Sequence, residues 1–111
     1  MEDCIFCKII EGKIPSQKIY EDENVLAFKD INPAAPIHYL FVPKEHFATL
    51  CDISPESLQH VFAAITSVAR KEGLDKKGFR TVINNGKAAG QAVFHLHAHV
   101  LSGKQLSGDF D

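Results

Sequence analysis

Val93-Phe94-His95-Leu96-His97-Ala98-His99-Val100-Leu101 decides the reading of this chain, because apolar residues and histidines alternate through it. A period of two is that of a strand. It places Phe94, Leu96, Ala98 and Val100 on one face and His95, His97 and His99 on the other. Neighbouring histidines on that face would stand about 6.8 Å apart, twice the rise per strand residue. A solvent-facing strand also alternates, but such faces carry Lys, Glu, Thr and Ser rather than histidine at every polar position. An imidazole, with an unperturbed pKa of about 6.5, can act near neutrality as nucleophile, general acid or metal ligand. A three-nitrogen zinc site is conceivable, but the row would span roughly 13 Å, too far for three bonds of about 2.0 Å to one ion. A row lying beside a phosphate fits the spacing better.

Upstream of this last strand, residues 93–101, a glycine-containing loop covers residues 84–91 and a fourth strand residues 79–83. The turn Asp75-Lys76-Lys77-Gly78 precedes them. The longest helix begins with Ser54 as N-cap, Pro55 at its first position and Glu56 at the positive end of the dipole. Leu58, Val61, Phe62, Ile65, Val68 and Ala69 recur at helical spacing and make one apolar face, and Gly73 ends it. Residues 18–20, 25–30 and 38–42 read as three strands. The first two are joined by a hairpin at Glu21-Asp22-Glu23-Asn24, and the turn Asn32-Pro33-Ala34-Ala35-Pro36 leads to the third. Residues 5–10 form a short helical turn closed by Gly12. Strands and helices are segregated, so the expected class is α+β. It is an antiparallel five-stranded meander sheet with one main helix and a short N-terminal helix.

The chain has 111 residues, the size of one domain, with 45% apolar and 23% charged residues. Its formal net charge is -2 and no basic stripe is present, which argues against DNA or RNA as a partner. No apolar run is long enough to span a membrane, and the acidic start Met1-Glu2-Asp3 is unlike a signal peptide. Three cysteines, Cys4, Cys7 and Cys51, make an odd count that fits a reducing, cytoplasmic setting. Cys4-x-x-Cys7 is a metal-ligand spacing, with two free thiols as the plain alternative. Cys51 is expected in the core and His60 on the surface.

His95-Leu96-His97-Ala98-His99-Val100-Leu101 has the form His-φ-His-φ-His-φ-φ, φ being apolar, and in this it resembles the histidine triad (HIT) family. The resemblance extends through Ile5-Phe6, Lys8-Ile9-Ile10, Ile14-Pro15, Leu26-Ala27-Phe28, Asp30-Ile31, Ala35-Pro36, His38, Val42-Pro43-Lys44, His46, Asn84 and Gly90-Gln91, across residues 4–106. It is strongest toward the histidine triad nucleotide-binding branch, the purine nucleoside phosphoramidases of bacterial or archaeal type.

That resemblance implies a single HIT domain over residues 1–111 and a hydrolase acting on the P–N bond of purine nucleoside 5′-phosphoramidates. His97 would attack the α-phosphorus and form a covalent nucleotidyl-histidine, with His99 and His38 flanking the phosphate. Asp30, with Ile31 beside it, would bind the ribose hydroxyls. Ile5, Phe6, Ile9, Ile14, Phe28 and Leu40 would line the base pocket. Asn84, Gly90, Gln91 and Ala92 would lie along the phosphate and leaving group. Ala92 stands where several relatives carry Ser, which puts the leaving-group preference in question. The resemblance further implies structural Zn2+ on Cys4, Cys7, His46 and His95, a homodimer, and a reduced C-terminal tail ending at Asp111. Two other readings are a dinucleoside polyphosphate hydrolase or nucleotidyl transferase of another triad branch, and a non-catalytic nucleotide-sensing or scaffolding protein.

Overall fold

The computed structural model describes residues 3–108; Met1 and Glu2 of the acidic start, and the C-terminal end at Asp111, lie outside the described residues. Helix α1 (Ile5–Ile10) is followed by strands β1 (Lys18–Glu21), β2 (Val25–Lys29) and β3 (Ile37–Pro43). Helices α2 (Pro55–Lys71) and α3 (Leu74–Lys77), strand β4 (Arg80–Val82), a 3-10 turn (Lys87–Ala89) and strand β5 (Ala98–Ser102) follow. The five strands form one antiparallel sheet in the order β1-β2-β3-β5-β4.

The α+β class and the five antiparallel strands agree with the sequence. The order of the last two strands departs from a simple meander, because α2 carries the chain past β3 to the sheet edge and β5 then inserts between β3 and β4. The turn expected over residues 75–78 is largely the short helix α3.

Period two in β2 and β3 builds two cores, one on each sheet face. Val25, Ala27, Tyr39, Phe41, Ala98 and Val100 point to α2 and meet Val61, Ala64, Ile65, Val68 and Ala69. Leu26, Phe28, Leu40 and Val42 point the other way and meet Cys4, Phe6, Cys7 and Ile9 at α1. Burial on both faces explains why these strands read as nearly continuous apolar runs. Helix α2 starts as expected: the Ser54 side chain accepts the Ser57 N–H at 3.2 Å, and Pro55 opens the helix. Gly73, at φ 73°, supplies the left-handed residue just beyond its end.

Three expectations need correcting. Phe62 is 43% exposed, because the buried stripe of α2 runs through Ala64 instead. Cys51 is exposed, in a turn held by Thr49 and Asp52 rather than in the core. Phe94 is 48% exposed and does not join Leu96, Ala98 and Val100 inside. Among the described residues no helix is long and apolar enough to cross a membrane.

Candidate nucleotide and metal sites

The histidine segment is only half a strand. Residues 93–97 lie outside β5, and the Leu96 N–H donates to the Phe47 carbonyl at 2.6 Å instead of to a neighbouring strand. Leu96, Ala98 and Val100 remain buried, and Phe6 of α1 stands edge-on to both His95 and His97, at 6.0 and 5.0 Å. His95, fully buried, turns to the N-terminal segment, whereas His97 and His99 stay together with ring centroids 5.0 Å apart.

His95 is held by its Nε2–H, which donates to the Pro43 carbonyl at 2.8 Å. Its Nδ1 therefore carries the lone pair, and faces Cys4 Sγ at 3.3 Å, Cys7 Sγ at 3.5 Å and His46 Nδ1 at 3.1 Å. Cys7 Sγ lies 3.4 Å from His46 Nδ1, and all four ligand atoms fall within 4.8 Å of one another. Tetrahedral zinc, with bonds near 2.3 Å to sulfur and 2.0 Å to nitrogen, sets its ligand atoms roughly 3.3–3.8 Å apart. The residues present fit such an ion. The Cys4 Sγ also accepts the Cys7 N–H at 3.3 Å, so the start of α1 orients both sulfurs. Burial, with the neighbouring Cys4, pushes the Cys7 thiol up to about 11, and burial takes the His95 imidazole down to about 4. A dication placed among these groups supplies the charge that lets the thiols ionise.

A second cluster forms where β2, β3 and β5 meet. His38 and His99 are diagonal neighbours on the α1 side of the sheet, since His38 pairs with Leu101 and Leu40 with His99. Their rings lie 5.2 Å apart, with His38 Nε2 2.9 Å from His99 Nδ1 and 3.4 Å from the Asp30 carboxylate. The other Asp30 oxygen accepts the Asn32 N–H at 2.8 Å. Burial lowers both His97 and His99, the latter to about 4, with like-charge pressure from His97 and His38 adding to the second shift. The His97 Nδ1–H donates to the His95 carbonyl at 2.9 Å. That bond leaves the Nε2 lone pair of His97 free. A neutral, oriented, buried imidazole with a free lone pair is a nucleophile's geometry.

The residues assigned to a base pocket divide. Phe6 stands edge-on to Phe28 at 5.6 Å and to His97 at 5.0 Å. Ile9 and Leu40 belong to the same buried cluster, with Ile14 packed on it. Ile5 instead is 45% exposed, and lines a hollow of about 550 Å³ with Cys4, His46, Ala92, Val93 and Phe94. Ile31 is 90% exposed beside Asp30.

In the loop before β5, Asn84 is half-buried and Gly90, at φ 92°, adopts a left-handed conformation that favours glycine. Gln91 is 4% exposed, and its amide ties the loop together. It accepts the Gly86 N–H at 2.8 Å and donates to the carbonyls of Ala48 at 2.7 Å and Val93 at 3.0 Å. Ala92 is exposed next to it. Sequence reasoning missed the backbone atoms that orient the imidazoles: the carbonyls of Pro43 and His95, and the N–H of Ala34, which donates to His38 Nδ1 at 3.0 Å. No residue-type pattern marks such positions.

Comparison with known proteins matches residues 11–106 to the family model described as HIT domain. Protein HitA of Neisseria gonorrhoeae is 48% identical over 104 residues, covering 91% of this chain and 96% of that protein. A HIT family hydrolase from Legionella pneumophila superposes with a TM-score of 0.92 at 42% identity, covering 96% of this chain and 98% of the other. A histidine triad nucleotide-binding protein from Candida albicans superposes with a TM-score of 0.84 at 33% identity, covering 98% of this chain and 87% of the other.

Proposed function

The chain belongs to the HIT family, and from that premise we propose that it is a nucleotide-binding hydrolase that cleaves purine nucleoside 5′-phosphoramidates through a nucleotide bound covalently to His97. One observation carries the reading. The Nδ1–H of His97 is anchored on the His95 carbonyl, so the lone pair of the second ring nitrogen is available in a buried site beside His99 and His38. The hydrolase and nucleotide-binding descriptions of the Legionella and Candida proteins agree with it.

In this reading His97 Nε2 attacks the α-phosphorus, the P–N bond breaks, and the departing amine takes a proton from the flanking His99. An amine is a poor leaving group until it is protonated, so a donor at that place matters. Water then attacks the phosphorus of the nucleotidyl-histidine. It gives its proton to His99, and the P–N bond to His97 breaks to release the nucleoside monophosphate. Asp30 accepts hydrogen bonds from the ribose hydroxyls, with Ile31 at the rim. Phe6, Ile9, Ile14, Phe28 and Leu40, with Ile5 at the edge, bind the base. The loop carrying Asn84, Gly90, Gln91 and Ala92 lies along the phosphate, where positive-φ glycine lets the backbone approach an anion.

Cys4, Cys7, His46 and His95 would hold zinc, whose closed coordination serves the fold and not the chemical step. The working form is a homodimer in the cytoplasm, a reading that rests on the family and on cysteines left unpaired. Turnover of an adenosine 5′-phosphoramidate tests the proposal. His97→Ala and His97→Gly should each lose at least about a thousandfold in kcat, as removal of a nucleophile does. Wild-type rates in both variants would overturn it.

A further inference from the structure

Asp30, His38 and His99 place three ligand atoms within 4.8 Å, close enough in distance alone for a metal ion. The hydrogen bonds around His38 point to something else. Its Nδ1 accepts the backbone N–H of Ala34 at 3.0 Å, so that nitrogen must present a lone pair. A neutral imidazole carries one proton, which is thereby forced onto Nε2. There it meets two acceptors, His99 Nδ1 at 2.9 Å and the Asp30 carboxylate at 3.4 Å. A protonated Nε2 cannot ligate a metal. It can donate, and in donating to His99 Nδ1 it makes that nitrogen an acceptor and leaves the proton of His99 on its own Nε2.

We propose that the backbone N–H of Ala34 is a positioning group that sets the proton order of the site, holding His38 and, through it, His99 as Nε2–H tautomers. The opposite order would turn His38 Nδ1–H against Ala34 N–H, donor against donor, at a partly buried contact on the buried His38 ring. The turn around Ala34 is suited to the task. Pro33 and Pro36 fix their own φ and restrict Asn32 and Ala35, the residues before them, so the chain is held on both sides of Ala34, and the Asn32 N–H is bound to Asp30 in the same stretch. The consequence for turnover rests on the function proposed above. With its proton on Nε2, His99 offers a hydrogen at the nitrogen remote from His38, while His97 offers a lone pair on its own Nε2. Donor and nucleophile are thus fixed in complementary states before any ligand arrives.

Ala34→Pro removes the N–H at a residue whose φ is not positive. Replacing the 33–34 amide by an ester through peptide ligation removes the same hydrogen without a ring, which covers the case in which the proline variant fails to fold. Nitrogen-15 NMR of the imidazoles reads the tautomer directly. The wild-type chain and Ala34→Gly, which keeps the N–H, should show His38 and His99 each as a single Nε2–H form. Both N–H deletions should show mixed tautomers, together with a kcat lowered about tenfold or more and a KM changed far less. Retention of the single Nε2–H form in both deletions would overturn the proposal. Mixed tautomers in a protein whose wild type turns over no phosphoramidate would uphold the lock and sink the proposed reaction instead.

Discussion

Burial takes His97 below the ordinary imidazole range and His99 down to about 4, against an unperturbed value of about 6.5. Both rings are therefore neutral at pH 7, the state that a nucleophile with a free Nε2 lone pair requires. Activity should be flat around neutrality, with an acid limb displaced below the pKa of a free imidazole; a kcat–pH profile checks this. Stability moves in the same direction. Between about 6.5 and about 4 the unfolded chain binds a proton at His99 that the folded chain refuses. That contribution is complete above the unfolded value and is lost as pH falls toward the folded one, readable as a falling urea midpoint. At this scale the sequence was informative about identity and silent about orientation. The alternation and the family pattern singled out His38, His97, His99 and Asp30. The partners that orient them are backbone atoms of Ala34, Pro43 and His95, which any residue type could supply.

The elements differ in how much of them could be read. Strands β2 and β3 and helix α2 were legible because period two and a capped helical stripe report burial, and burial is what fixed them. The same pattern makes the last strand read too long. Leu96 is as buried as Val100, so the pattern continues, although the backbone has already left the sheet. The exchange of β4 and β5 depends on pairing between distant segments, and no local pattern records it. Helix α1 has six residues, too few to persist alone, and it is tied to the rest through its packing on Phe28 and Leu40 and through Cys4 and Cys7. Metal analysis should find one zinc per chain. Chelation, or Cys7→Ser, should lower the melting temperature by several degrees and expose the α1 amides to hydrogen exchange, while α2 stays protected. Unchanged melting and exchange would remove the structural role assigned to the metal.

For the whole molecule, the surface carries two features that a lone domain leaves unused. Phe62 stands 43% exposed on α2, and β4 forms an open edge of the sheet. Such faces are covered in isologous dimers. Sedimentation should give a mass of two chains, and Phe62→Glu should shift it toward one; a monomer across the micromolar range would contradict the dimer. The two sheet faces also divide the work, with the α2 core supporting the sheet and the α1 side holding both histidine clusters.

The central claim concerns a bond to one nitrogen, and rapid quenching tests it most directly. Wild-type protein mixed with an adenosine 5′-phosphoramidate, quenched within one turnover and digested for mass spectrometry, should carry one nucleoside monophosphate on His97. Turnover with no nucleotide attached to the chain, or with the nucleotide on another residue, would contradict the account.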